Sequence, residues 1–170
     1  MPSQRSKHLP SKPVAPPGFT LVELIMVLIV LAIAAAMIIP QAVGTSDLRA
    51  QSAARVVVAD LEYAQNHAIV TQTNISVTFD VSANSYRVSN ESGTLSHPIT
   101  KQAYEVDFDT KRGFGSVSIA AVSFGGAPLV TFDSLGAPST GGTVDLAAGE
   151  HTYRVTVAPV TGRVAVANVP

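Results

Sequence analysis

Cysteine is absent from the 170-residue chain, which excludes disulfides, thiolate metal sites and cysteine nucleophiles. Charge is scarce as well, at 14% of residues against roughly 25% in an average soluble domain. Part of the chain is therefore suited to a medium other than water. Neither sign dominates: eleven basic and twelve acidic residues give a net charge of -1, with no general electrostatic pull toward nucleic acid or anionic lipid. Catalytic signatures are missing too, for no G-x-S-x-G elbow, phosphate loop or H-E-x-x-H occurs. Among four histidines, His8 lies near the start, while His67, His97 and His151 share no metal-ligand spacing. The length suits one globular domain.

What the chain does hold is one long apolar run. From Leu24 to Ile39 there is no charge, and Phe19 to Ile39 makes 21 residues, which as a helix at ~1.5 Å per residue reaches ~30 Å, the thickness of a bilayer's hydrocarbon core. Arg5, Lys7 and Lys12 precede the run without an acidic companion, so a span here keeps its start on the cytoplasmic side. A plain signal anchor meets this description. A cleaved secretory signal fits less well, because the apolar text continues through Met37, Ile38 and Ile39 beyond the Ala-rich text around Ala32 to Ala36 and exceeds the ~7 to 15 residues of a signal's core. Neither reading accounts for Glu23. An acid inside a span costs ~2.5 to 3.5 kcal/mol at the centre and less near an end, so it calls for a partner.

The segment Gly18-Phe19-Thr20-Leu21-Val22-Glu23 resembles the cleavage motif of type IV pilins and type II secretion pseudopilins. In that family a short basic leader ends in glycine, and the mature chain starts with phenylalanine and has glutamate fifth. The resemblance implies that a prepilin peptidase cuts between Gly18 and Phe19 and methylates the new amine. It also implies that Glu23 pairs with that amine across neighbouring subunits of a fibre. Pro40 sits where the family places a helix-bending proline. Cutting there leaves an ammonium and a carboxylate in one low-dielectric environment, each the natural counter-ion of the other, and the positive end of a helix dipole favours an acid one turn in.

After Pro40, Gly44 and Thr45 interrupt the pattern, and Ser46 or Asp47 can cap a renewed helix. Ala50, Ala54, Val57, Leu61, Ala64 and Ala68 then recur in steps of four and three, a helical stripe suited to lie on a sheet. Arg49, Arg55, Glu62 and Gln65 fall mostly off it, free to face solvent. From Ile75 the texture alternates, and strands are expected at Ile75 to Phe79, Tyr86 to Val88, Tyr104 to Phe108, Val117 to Phe124, Leu129 to Phe132, Thr143 to Leu146, Tyr153 to Val157 and Arg163 to Val169. The fold class is α+β: a long N-terminal helix, transmembrane in its first half, packed on a mainly antiparallel head. The expected organisation is a leader over 1–18, a membrane and assembly helix over 19–40, an amphipathic helix over 41–73 and a β-rich head over 74–170.

The passages ADLEYAQNHAIVTQTNISVTFD, VTFDSLGAPSTGGTVDL and YRVTVAPVTGRVAVANV are similar to the head of GspH/FimT-type minor pseudopilins. Two departures are a variable loop over 90–104 and Gln65, where an arginine is common. The resemblance implies a minor subunit of a secretion pseudopilus, with other pseudopilins, the prepilin peptidase and inner-membrane lipid as partners. Its alternatives are a minor type IV pilin for adhesion or uptake and a plain membrane-anchored binding module. Some FimT-type pilins bind DNA through a basic C-terminal region, but here VAVANVP is uncharged, so nucleic-acid binding is not expected.

Other chemistry is thin. Asp107 and Asp109 are expected on the same side of one strand, a weak metal or acid–base pair supplying too few of calcium's six to eight or so oxygens. Arg112-Gly113-Phe114-Gly115 lacks the strand-to-helix context of a phosphate site. No enzymatic role, cofactor or small-molecule substrate is expected.

Overall fold

The computed structural model describes residues 18–43 and 45–169, with backbone alone for 36–43 and 45. Helix α1, Leu21–Val43, contains the apolar run. Every described side chain from Phe19 to Ala35 is exposed. The helical backbone passes through Pro40 and on to Val43, so the proline does not end it. The leader, the Gly44 interruption and any bend expressed by the Pro40 side chain lie outside the described residues. Among the described residues, whose side chains in α1 run only to Ala35, no helix is long and apolar enough to cross a membrane.

Residues 42–170 form a compact unit of their own. Its helix α2, Thr45–Thr71, is built on the small-residue stripe: Ala50, Ala54, Val57, Leu61, Ala64 and Ala68 are all fully buried, joined by Ala53. Alanines let the helix approach a sheet closely at little side-chain entropy cost. Gln72 ends the helix. It takes a left-handed conformation (φ 53°), and Thr73 N–H bonds back to the carbonyl of Ala68 at 3.3 Å, the closing pattern of a Schellman motif. Its side-chain amide also donates to the Ile69 carbonyl at 2.6 Å.

Among the described residues nine strands follow: β1 (Ile75–Asp80), β2 (Ser85–Asn90), β3 (Gly93–Thr94), β4 (Glu105–Asp107), β5 (Ser118–Phe124), β6 (Leu129–Phe132), β7 (Gly142–Ala148), β8 (His151–Val157) and β9 (Val164–Val169). They make two sheets. One runs β3-β2-β1-β6, with β4 also pairing β2, and the other runs β5-β7-β8-β9. All the pairings are antiparallel. Helix α2 packs on β7, β8 and β9 of the second sheet and on β1 and β6 of the first. Alternation decides what is buried: Ile75, Val77 and Phe79 point inward from β1, and Val144, Leu146 and Ala148 from β7. Phe79, Tyr86, Phe108 and Phe124 are neighbours in the core, with ring centroids 5.4 to 6.0 Å apart.

Two expectations need correcting. The loop over 90–104 contains β3 and a bridge between Ser96 and Ala103, closed by His97, whose Nδ1 accepts the N–H groups of Ile99 and Thr100. It folds back as a hairpin because local side-chain acceptors satisfy its turn. Asp107 and Asp109 do not share a strand, since β4 stops at Asp107. The Asp107 carboxylate instead accepts the N–H of Asp109 at 2.8 Å and of Thr110 at 3.3 Å, which turns the chain and holds that carboxyl below its ordinary range.

Candidate functional site

Phe19 lies just outside α1 and is 88% exposed, and Gly18 before it has open space where a side chain would stand. Thr20 caps the helix: its Oγ1 accepts Glu23 N–H at 3.2 Å, and its carbonyl accepts Leu24 N–H at 3.2 Å. Glu23 is thus the third helical residue, in the first turn, where unpaired N–H groups favour a negative charge. Thr20 and Glu23 have the spacing of a capping box, but only its first half forms. Among the described residues no donor meets the Glu23 carboxylate.

In the other unit, polar ties fix α2 to both sheets. Asp60 accepts the hydroxyl of Tyr104 at 3.0 Å on one oxygen and that of Tyr86 on the other. Burial, then the adjacent Asp60 charge, pushes both phenols above their ordinary range. Nearer the helix start, Asp47 accepts the Tyr153 hydroxyl at 2.9 Å, the bond that chiefly raises that phenol. His151 Nδ1 stands 3.8 Å from the same carboxylate.

Gln65, expected to be free to face solvent, is instead half-buried and held by two turns. Its amide donates to the carbonyls of Gly136 at 2.7 Å and Thr161 at 2.9 Å, joining the β6–β7 and β8–β9 turns to the helix. Both turns place glycine there for cause. A methyl group on Gly136 would stand 2.7 Å from Ile69 Cδ1, and one on Gly162 would run into the Gln65 amide; both have positive φ. Neither Asp60 nor the contacts of Gln65 were foreseen. The signal was present: Asp60 stands three residues after Val57 and four before Ala64, so a carboxylate occupies the apolar stripe's own spacing.

Asn84, at φ 48°, joins the two sheets. Its amide donates to Asp109 at 2.7 Å and to the Val117 carbonyl at 2.8 Å, while its oxygen accepts Ile119 N–H at 2.9 Å. The histidines are scattered: His67 lies against Tyr63, His97 over Tyr104 and His151 beside Asp47. Among the described residues no three His, Cys, Asp or Glu side chains gather as a metal site. The 112–115 segment forms a turn in which Phe114 packs edge-on to Phe108.

Comparison with known proteins bears on the head rather than on α1. None of the curated proteins matches the chain. Two structures of the minor pseudopilin EpsH from the type II secretion system of Vibrio cholerae are similar. The first has a TM-score of 0.55 at 17% identity, covering 71% of this chain and 97% of that one. The second has a TM-score of 0.54 at 15% identity, covering 71% and 94%. The type IV minor pilin FimU of Pseudomonas aeruginosa gives 0.49 at 17% identity, covering 69% and 91%. The likeness to the two EpsH structures makes the architecture pilin-like. The family model described as type II transport protein GspH matches residues 53–161, more than half of the sequence and most of the unit that Asp60, Gln65 and Asn84 hold together; the chain belongs to the GspH family.

Proposed function

We propose that this protein is a minor pseudopilin subunit of a type II secretion system, and that it acts by assembling into a periplasmic fibre. Family membership supports the head's part in this reading, and pseudopilins of this family are structural rather than catalytic proteins. The observation that carries the mechanism is a helix whose described side chains are exposed and apolar, interrupted in its first turn by one carboxylate without a donor. In water such a surface is unfavourable by about 25 cal/mol per Å². Lipid, and later the helices of neighbouring subunits, offer it an apolar surround. On this reading α1 spans the inner membrane with the head outside the cytoplasm, a prepilin peptidase cuts after Gly18, and Phe19 becomes an N-methylated amine. The ammonium of one subunit and Glu23 of the next then neutralise each other, which sets the axial register of the incoming helix.

Mass spectrometry of the purified protein tests the processing step. N-methylated Phe19 is expected as the first residue, and an intact leader or cleavage among the alanines would reject it. Glu23→Ala tests the pairing: membrane insertion should persist while incorporation into fibres is lost. Undiminished incorporation would remove Glu23 from the mechanism.

A further inference from the structure

The sheets of the head end in strands whose outer edges are treated unequally. At one end of the first sheet, β3 has two residues and β4 three, two of them acidic. At its other end the chain covers β6: Ser139 N–H bonds to the Thr131 carbonyl, Asp133 N–H to the Ala137 carbonyl, and Phe132 bridges to Pro138. In the second sheet β5 is interrupted by a bulge between Ile119 and Ala121, and Asn84 takes up Ile119 N–H. Short length, charge, cover and bulges are the means by which folded proteins stop an edge from recruiting another strand.

β9 has none of them. It is six residues, VAVANV, without charge, proline or a register shift against β8, and it spans about 20 Å at ~3.3 Å per residue. Among the described residues its backbone pairs only with β8. Its core-side residues remain partly open. Val166 stands opposite the fully buried Val155 yet is 41% exposed.

We propose that β9 is an acceptor edge, to which an extended segment of a different fibre subunit adds as a fifth strand. Backbone hydrogen bonding would supply affinity and alternate side chains the selectivity. The incoming segment is uncharged where it faces β9 and places an apolar side chain on the α2 side, where it covers Val166. A second copy joined through its own β9 does not meet the requirement. Two copies joined through antiparallel β9 strands carry their α2 helices in opposite directions; two joined through parallel ones carry them on opposite faces of the joined sheet. Neither leaves the helices codirectional and side by side, as a fibre of packed helices needs, a step that rests on the function proposed above.

Amide hydrogen exchange on fibres containing the full chain, compared with the detergent-solubilised subunit, is the test. Exchange along β9 should slow by about tenfold or more on assembly, with β3 and β4 unchanged. Unaltered β9 exchange in a fibre-bound chain overturns the acceptor edge and leaves the fibre reading standing, whereas a chain absent from fibres overturns both. Val166→Lys should cut incorporation about tenfold without shifting the melting of the solubilised subunit, with Val166→Ala as the control for the lost side chain. Normal incorporation of the lysine variant also overturns the proposal. Because the chain has no other cysteine, a disulfide between two copies of an Ala167→Cys variant would show that a second copy occupies the edge, and would overturn the partner assigned here.

Discussion

Helices α1 and α2 are similar in length, 23 and 27 residues, yet they are built on opposite plans. In α1 the apolar residues go all the way round and every described one is exposed, Leu24 at 58% and Leu28 at 57%. In α2 one stripe of apolar residues is fully buried, and the other faces are mostly polar or charged, with Leu48, Ile69 and Val70 exposed among them. A helix that is apolar on every side gains most of its stability from a surrounding medium, and one with a single stripe from its own chain. The amount of hydrophobic sequence therefore says less than its angular distribution about where a helix finds its partner.

The sharpest way to break this contrast is to truncate one leucine in each helix. Leu61→Ala should destabilise the head by about 2–5 kcal/mol in chemical denaturation; Leu28→Ala should leave head unfolding where it was. Equal effects would mean that α1 shares the head's core. Asp60→Ala comes next, at about 1–3 kcal/mol, because it leaves the buried Tyr86 hydroxyl without its acceptor. A pH series sharpens the same point. Tyr86 and Tyr104 bind their protons more tightly folded than unfolded. Their contribution is thus complete below the unfolded phenol value of about 10 and is lost as pH rises beyond it. Melting temperature should fall above that pH, and fall less steeply in a Tyr86→Phe, Tyr104→Phe double variant. Gly162→Ala should cost about 1–2 kcal/mol, through positive φ and the collision with Gln65. The smallest effect is expected of Arg154→Ala, which removes a two-pronged pair with Asp145 at 2.7 Å on the solvent face and should barely move the melting curve.

Much of the head could be read from periodicity. All six stripe residues named from the spacing in α2 are fully buried, and the eight expected strands are present with ends shifted by no more than two residues. Periodicity reports apolar burial, and it is silent on polar groups that turn inward to a specific partner. Gln65 and Asp60 were misjudged or passed over for that reason: their partners, Gly136, Thr161, Tyr86 and Tyr104, are far away in sequence. β3 escaped because two residues cannot show an alternation. Asp107 and Asp109 were placed by strand spacing, whereas a local turn bond from Asp109 N–H to Asp107 ends β4 between them. At the start of α1 the motif made Gly18, Phe19 and Glu23 conspicuous, but the Thr20 cap that positions Glu23 emerges only from the geometry.

The ties along α2 have a mechanical consequence. Asp47 holds β8, Asp60 holds β2 and the residue preceding β4, Gln65 holds two turns, and Gln72 reaches the Ser134 carbonyl at 3.2 Å. They recur over the whole helix and reach both sheets, and Asn84 stitches those sheets to each other. Tension applied along the axis therefore shears all of them together rather than peeling them one by one. Each is worth only about 1 kcal/mol alone, but loaded in parallel they let the head bear traction as a single block.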